Sequence, residues 1–89
     1  MVIKVIFRGW LERFSGPVIN IEEQSLTIDD LLHYLPTLVG NTAVFNNKIM
    51  LASNTIILVN DCDIELLNGF QTKTVDGDTV TIVPISHGG

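Results

Sequence analysis

The spacing of apolar positions changes along the chain, and each spacing predicts an element. Residues 2–8 are rich in β-branched side chains and alternate, with Ile3, Val5 and Phe7 on one face and Lys4 and Arg8 on the other beside Val2 and Ile6. That is a strand. Gly9 and Ser15-Gly16-Pro17 punctuate the next stretch, so Trp10 to Phe14 read as a connection. Residues 18–24 alternate again, Ile19 and Ile21 opposing Val18, Asn20 and Glu22, which predicts a second strand. Two strands joined by a short link indicate an antiparallel hairpin, with a loop longer than a tight turn.

From Thr27 the spacing becomes helical. Thr27 has the side chain of an N-cap, and Asp29 and Asp30 follow in the first turn, where the helix dipole favours negative charge. Ile28, Leu31, Leu32 and Leu35 form one apolar stripe for a core. Pro36 disfavours helical geometry at Leu35 and is expected to end or kink the helix there, with an extra turn over Thr37, Leu38 and Val39 before Gly40. Residues 40–55 read as loops around one short strand near Ala43 to Phe45. Residues 56–60 are apolar on both faces, which predicts an interior strand.

Asn60-Asp61-Cys62-Asp63 is a turn, because Asn and Asp bond readily to nearby backbone. Residues 64–67 form a short strand or a single helical turn, closed by Asn68-Gly69. Residues 70–75 lead into a second turn, Asp76-Gly77-Asp78, and a final apolar strand begins at Thr79. Strand, strand, helix and then several short strands define an α+β architecture in which the helix covers one sheet face. The strongly apolar first and last strands are expected to pair at its centre.

Composition narrows the function classes. With 89 residues the chain makes one small domain, and 46% apolar content is enough for a core. Only 17% of residues are charged, against about 25% in typical globular proteins, which leaves apolar surface for docking on partners. A net charge of −5, with five scattered basic residues, argues against direct nucleic-acid binding. Cys62 is the only cysteine, so an internal disulfide and a four-thiolate iron–sulfur cluster are both excluded, and a reducing compartment fits. The apolar start is too short for a membrane span and lacks a signal-peptide layout. The expectation is a cytoplasmic, monomeric protein that makes no membrane contact.

Little in the chain looks catalytic. Cys62 stands between two acidic residues, Asp61 and Asp63, and reads as a structural or incidental thiol and not as a nucleophile. His33 and His87 belong to no ligand-spaced cluster, and His33 reads as a helix-surface residue. Asp61, Asp63 and Glu65 lack the further oxygen ligands of a calcium loop and read as turn residues, with partner docking as their second role. No metal site and no bound cofactor are expected. What stands out is the end, Ser86-His87-Gly88-Gly89, where an apolar strand runs into glycines that lack a Cβ and add almost no width. Such a tail, with a carboxylate at its tip, can thread a narrow channel.

Strand–strand–helix–strand order ending in Gly-Gly resembles the β-grasp, ubiquitin-like proteins. The run Leu58-Val59-Asn60-Asp61-Cys62-Asp63-Ile64-Glu65-Leu66-Leu67, followed by His87-Gly88-Gly89, resembles the ubiquitin-related modifier family. The run from Asp76 to Pro84 is also similar to the MoaD-type small subunit of molybdopterin synthase, and the ThiS-type thiamine-pathway carrier shares the ending. The resemblance is carried by residues 56–89 and is architectural before them. It implies a β-grasp domain, a mixed sheet of four to five strands on one main helix, with a flexible tail over residues 86–89. It further implies a carrier rather than an enzyme. A ubiquitin-activating-like enzyme would use ATP to adenylate Gly89, with Gly88 and His87 seating the tail. A sulfurtransferase or other persulfide donor would then convert Gly89 to a thiocarboxylate for tRNA thiolation, or lysines of target proteins would accept it in isopeptide bonds. The alternatives are a MoaD-like subunit delivering sulfur to molybdopterin and a β-grasp interaction module that is never activated.

Overall fold

A computed structural model of the chain describes residues 2–12, 18–21, 25–39 and 54–85. The alternation at the start forms strand β1, Ile3–Phe7, with Ile3, Val5 and Phe7 fully buried and Lys4 exposed. Strand β2, Val18–Ile21, pairs with it antiparallel, placing Ile3 opposite Ile21 and Lys4 opposite Asn20. The expected hairpin is therefore present. Between them, a single 3-10 turn at Gly9–Leu11 buries Leu11 in the core, a role that reading residues 10–14 as a mere connection missed.

The strand expected over residues 18–24 is described as far as Ile21, and residues 22–24 lie outside the described residues. Ser25–Thr27 forms a separate strand, β3, whose partner lies far along the chain at Lys73–Val75. Helix α1, Ile28–Val39, follows at once. Thr27 caps it reciprocally: Asp30 N–H donates to Thr27 Oγ1 at 3.0 Å, and Thr27 N–H donates to Asp30 Oδ2 at 3.3 Å. This satisfies two backbone donors at the helix entry. Ile28 N–H finds a third solution, donating to Thr72 O at 3.0 Å. The stripe of Ile28, Leu31, Leu32 and Leu35 is buried, and His33 is exposed on the outer face with its ring edge-on to Tyr34. The helix does not stop at Leu35 but runs through Pro36 to Val39. Proline's own φ suits a helix, so the cost is one lost hydrogen bond and crowding of the preceding turn, which a late helical position tolerates.

The expected strand near Ala43 to Phe45 lies outside the described residues. The chain resumes in β4, Thr55–Val59, which turns back through Asn60-Asp61 into a two-residue strand β5, Cys62–Asp63. Asn60 and Asp61 both have positive φ, 50° and 68°, as a two-residue hairpin turn demands. Of the two readings for residues 64–67, the helical one holds: Ile64–Leu66 is a 3-10 turn, with Asp63 Oδ1 accepting Glu65 N–H at 2.9 Å. A second 3-10 turn at Gly69–Gln71 leads to β6, Lys73–Val75, and then to β7, Thr79–Pro84.

Five strands form the main sheet in the order β2-β1-β7-β4-β5. The final strand occupies the centre, parallel to β1 and antiparallel to β4. All other pairings in this sheet are antiparallel, so the sheet is mixed. Helix α1 covers one face, where Val80 and Ile82 of β7 meet Ile3, Val5 and Phe7 of β1 and Ile57 and Val59 of β4 in one core. The strand β4 is interior to the sheet, as its apolar pattern implies, but it is not buried on both sides. Ile57 and Val59 face the core, whereas Ile56 on the opposite face is 42% exposed. The helix packs on one face alone, so the apolar residues of the other point outward.

One carboxylate ties the turns of the sheet together. Asp78 Oδ1 accepts Asn60 Nδ2–H at 3.0 Å, and its Oδ2 accepts Val75 N–H at 2.8 Å. Its carbonyl accepts Lys4 N–H, and Asn60 Oδ1 accepts Thr79 N–H, each at 3.0 Å. Gly77, at φ 89°, turns the chain tightly enough for its N–H to reach Val2 O at 2.8 Å. Asp76 accepts Val2 N–H on the same edge. Asn60→Ala and Asp78→Ala are each expected to destabilise the fold by about 1–2 kcal/mol. Because they share bonds, the double variant should lose less than the sum, by about 1 kcal/mol in a denaturation cycle. Strict additivity would show that the two turns are not coupled.

Candidate functional site

The sequence points to the outlet of β7, and the structure shows how that outlet is built. The strand leaves the centre of the sheet with Pro84 still paired to Thr55, and Ile85 N–H donates to Asn54 O at 2.8 Å. Backbone pairing therefore holds the chain as far as Ile85, whose side chain is 62% exposed. His87, Gly88 and Gly89 lie outside the described residues. Four residues separate Ile85 from the end of the sequence, and four residues span at most about 14 Å.

On the β1 side of the outlet, Arg8 N–H donates to Ile82 O at 3.0 Å, and Gly9 comes next with φ +60°. A Cβ added at Gly9 would lie 2.9 Å from Pro84 Cγ. Two restrictions meet there. The backbone is in the left-handed region that favours glycine, and the space a methyl group needs is taken by the last residue of β7. Gly9 therefore lets β1 turn away while the sheet grips the strand that carries the tail.

On the β4 side lies an open groove. Ile56, Phe70 and Ile85 supply exposed apolar walls, Ile64 lies buried at its base, and Asp63 and Glu65 supply carboxylates. The two 3-10 turns after β5 build this wall, because they carry Glu65 and Phe70 back toward the sheet edge. Asp63 is partly committed by its bond to Glu65 N–H, so its role as a turn residue is seen directly. Glu65 is exposed. Sequence reading singled out Asp63 and Glu65 but missed Phe70 and Ile56, because aromatic and aliphatic residues in short apolar runs look like core.

The remaining candidates lie elsewhere. Cys62 pairs with Val59 at the far end of β4, away from the outlet, and its thiol approaches Asp63 O at 3.8 Å. Asp61 sits at the hairpin tip, exposed. Among the described residues, no group of three or more His, Cys, Asp and Glu side chains is arranged to hold a metal ion. No described helix is long and apolar enough to cross a membrane.

A helix laid across a mixed five-stranded sheet, with the last strand central and a Gly-Gly run just beyond it, defines a ubiquitin-like β-grasp protein. The chain belongs to the Urm1 (ubiquitin related modifier) family, whose model matches residues 3–89. No curated protein matches it. Among solved structures, it is similar to small archaeal modifier protein 1 from Methanosarcina acetivorans, with 22% identity, a TM-score of 0.75, and coverage of 99% of this chain and 96% of that one. It is likewise similar to Urm1 from Trypanosoma brucei, at 25% identity and TM-score 0.69, covering 99% of this chain and 95% of that one. A third similar structure is a complex of subunits 1 and 2 of molybdopterin-converting factor from Helicobacter pylori, at 20% identity and TM-score 0.63, with both chains covered in full at 100%.

Gly9→Ala should loosen the outlet. The expected loss of stability is about 1–2 kcal/mol, from the left-handed backbone and the contact with Pro84. Amide exchange should also quicken at Val83 and Ile85 more than at Val5. Unchanged stability and exchange would show that the Gly9 backbone does not support the outlet.

Proposed function

We propose that the chain is a carrier and protein modifier whose working group is the carboxylate of Gly89. The observation that supports this most directly is the match to the ubiquitin related modifier family through to Gly89, just beyond a strand held to Ile85. The body presents the tail, and partner enzymes supply the catalysis. In this reading the protein works in the cytoplasm as a monomer.

The chemistry accounts for the residues. A free carboxylate is a poor electrophile. An activating enzyme lets a Gly89 carboxylate oxygen attack the α-phosphorus of ATP, expelling pyrophosphate and leaving an acyl-adenylate. The terminal sulfur of a donor persulfide then attacks the carbonyl carbon, and AMP departs. A second thiol cleaves the resulting sulfur–sulfur bond, giving a Gly89 thiocarboxylate and a disulfide on the donor side. That sulfur is delivered to transfer RNA. In the other branch, a lysine amine of a target protein attacks the activated carbonyl, loses a proton and forms an isopeptide bond. Gly88 and Gly89 suit both branches, since a terminus without side chains can enter an adenylation channel. His87 helps to seat it.

Intact-mass analysis of the protein from its own cells should show sulfur in place of oxygen at the terminus, or Gly89 joined to lysine in digests. Deleting Gly89, or adding one residue after it, should abolish sulfur transfer and conjugation with no change in melting temperature. Continued function of the shortened chain would exclude the tail as the active element. A stable complex with a molybdopterin synthase large subunit, with no conjugates, would move the reading to sulfur delivery for molybdopterin.

A further inference from the structure

We propose that the groove beside the outlet selects the activating partner by receiving a basic side chain set among apolar ones. This rests on the reading of Gly89 as an activated carboxylate. Ile56, Phe70 and Ile85 are 42%, 40% and 62% exposed around the hollow, far more apolar exposure than an interior wall would have. The carboxylates of Asp63 and Glu65 stand on the same hollow. Asp63 Oδ1 accepts one hydrogen bond from Glu65 N–H, which fixes its direction, while Glu65 is exposed. Among the described residues, no basic one lines this hollow; the described lysine nearest in sequence, Lys73, lines a different one, beside Cys62, Leu67 and Gln71.

An apolar floor with an acidic rim complements a Lys or Arg whose methylenes lie on Phe70 and Ile85 while its charge meets Glu65 and the outer oxygen of Asp63. Position gives this surface its purpose. Ile85 is both a wall of the groove and the last described residue held by the sheet, so a partner seated here lies against the residue from which the tail continues. The chain's net charge of −5 steers the same basic surface toward it.

The test uses the full-length protein and the enzyme, purified from its own cells, that shows ATP–pyrophosphate exchange dependent on this chain. Glu65→Lys and Phe70→Ala are expected to raise KM for the carrier by about tenfold with kcat nearly unchanged, because the groove holds the body of the carrier and supplies no group to the reacting carboxylate. Raising the salt concentration should raise KM for the unaltered chain and have much less effect on Glu65→Lys. Leu67→Ala and Gln71→Lys, on the other hollow, should leave KM alone, and circular dichroism melts confirm that each variant is folded. Unchanged KM in folded Glu65→Lys and Phe70→Ala would overturn the groove proposal while leaving activation intact. A lower KM for Glu65→Lys would likewise overturn it, by showing an acidic partner surface. Absence of any exchange activity toward the unaltered chain would instead overturn the activation reading, and this proposal with it.

Discussion

The parallel pairing of β1 with β7 is the constraint on which the rest depends. These strands come from opposite ends of the sequence, with Lys4 opposite Thr79 and Phe7 opposite Ile82. Parallel neighbours need a long crossover between them, and here nearly the whole chain supplies it. Everything between must therefore fit around that seam. Helix α1 lies over the core side, β2 extends the sheet on one flank, and β4 and β5 extend it on the other. Asp78 secures the beginning of the seam, holding Lys4, Val75 and Asn60 through one residue. The far end is secured by Gly9 against Pro84.

That seam also explains why the outlet lies where it does. A strand at the centre of a sheet is gripped from both sides, so its direction is set more firmly than that of an edge strand. Pairing is described as far as Ile85, and Gly88 and Gly89 follow within a few residues in the sequence.

The sheet has two unlike faces. On the helix side, Val80, Ile82, Ile57 and Val59 are buried. The opposite side and the adjoining 3-10 turns leave Ile56, Leu66, Phe70 and Ile85 exposed. Low charge content foreshadowed this, since a chain with few charged residues cannot cover its whole surface with them. Ile56, Phe70 and Ile85 expose apolar surface beside the outlet, and Leu67 does so at the hollow near Cys62, where Asn60, Gln71, Lys73 and Asp78 contribute polar atoms.

The sequence by itself determined the elements whose stabilising contacts are local or periodic. Alternation set the inward face of β1, helical spacing set the buried stripe of α1, and Thr27 with Asp30 closed its cap. The turns at Asn60-Asp61 and Gly77 were legible for the same reason, because each needs a backbone that few residue types adopt readily. The glycines at the end were legible as a motif. Tertiary structure alone decided what depends on distant partners. Thr27 joins a strand with Lys73, Leu11 is core, and the α1 helix passes Pro36. Ile56 and Ile57 are adjacent and alike in sequence, yet one faces solvent and the other the core. Hydropathy gives both residues the same preference for burial; the α1 helix, packed on one side of the sheet, decides which of them is satisfied.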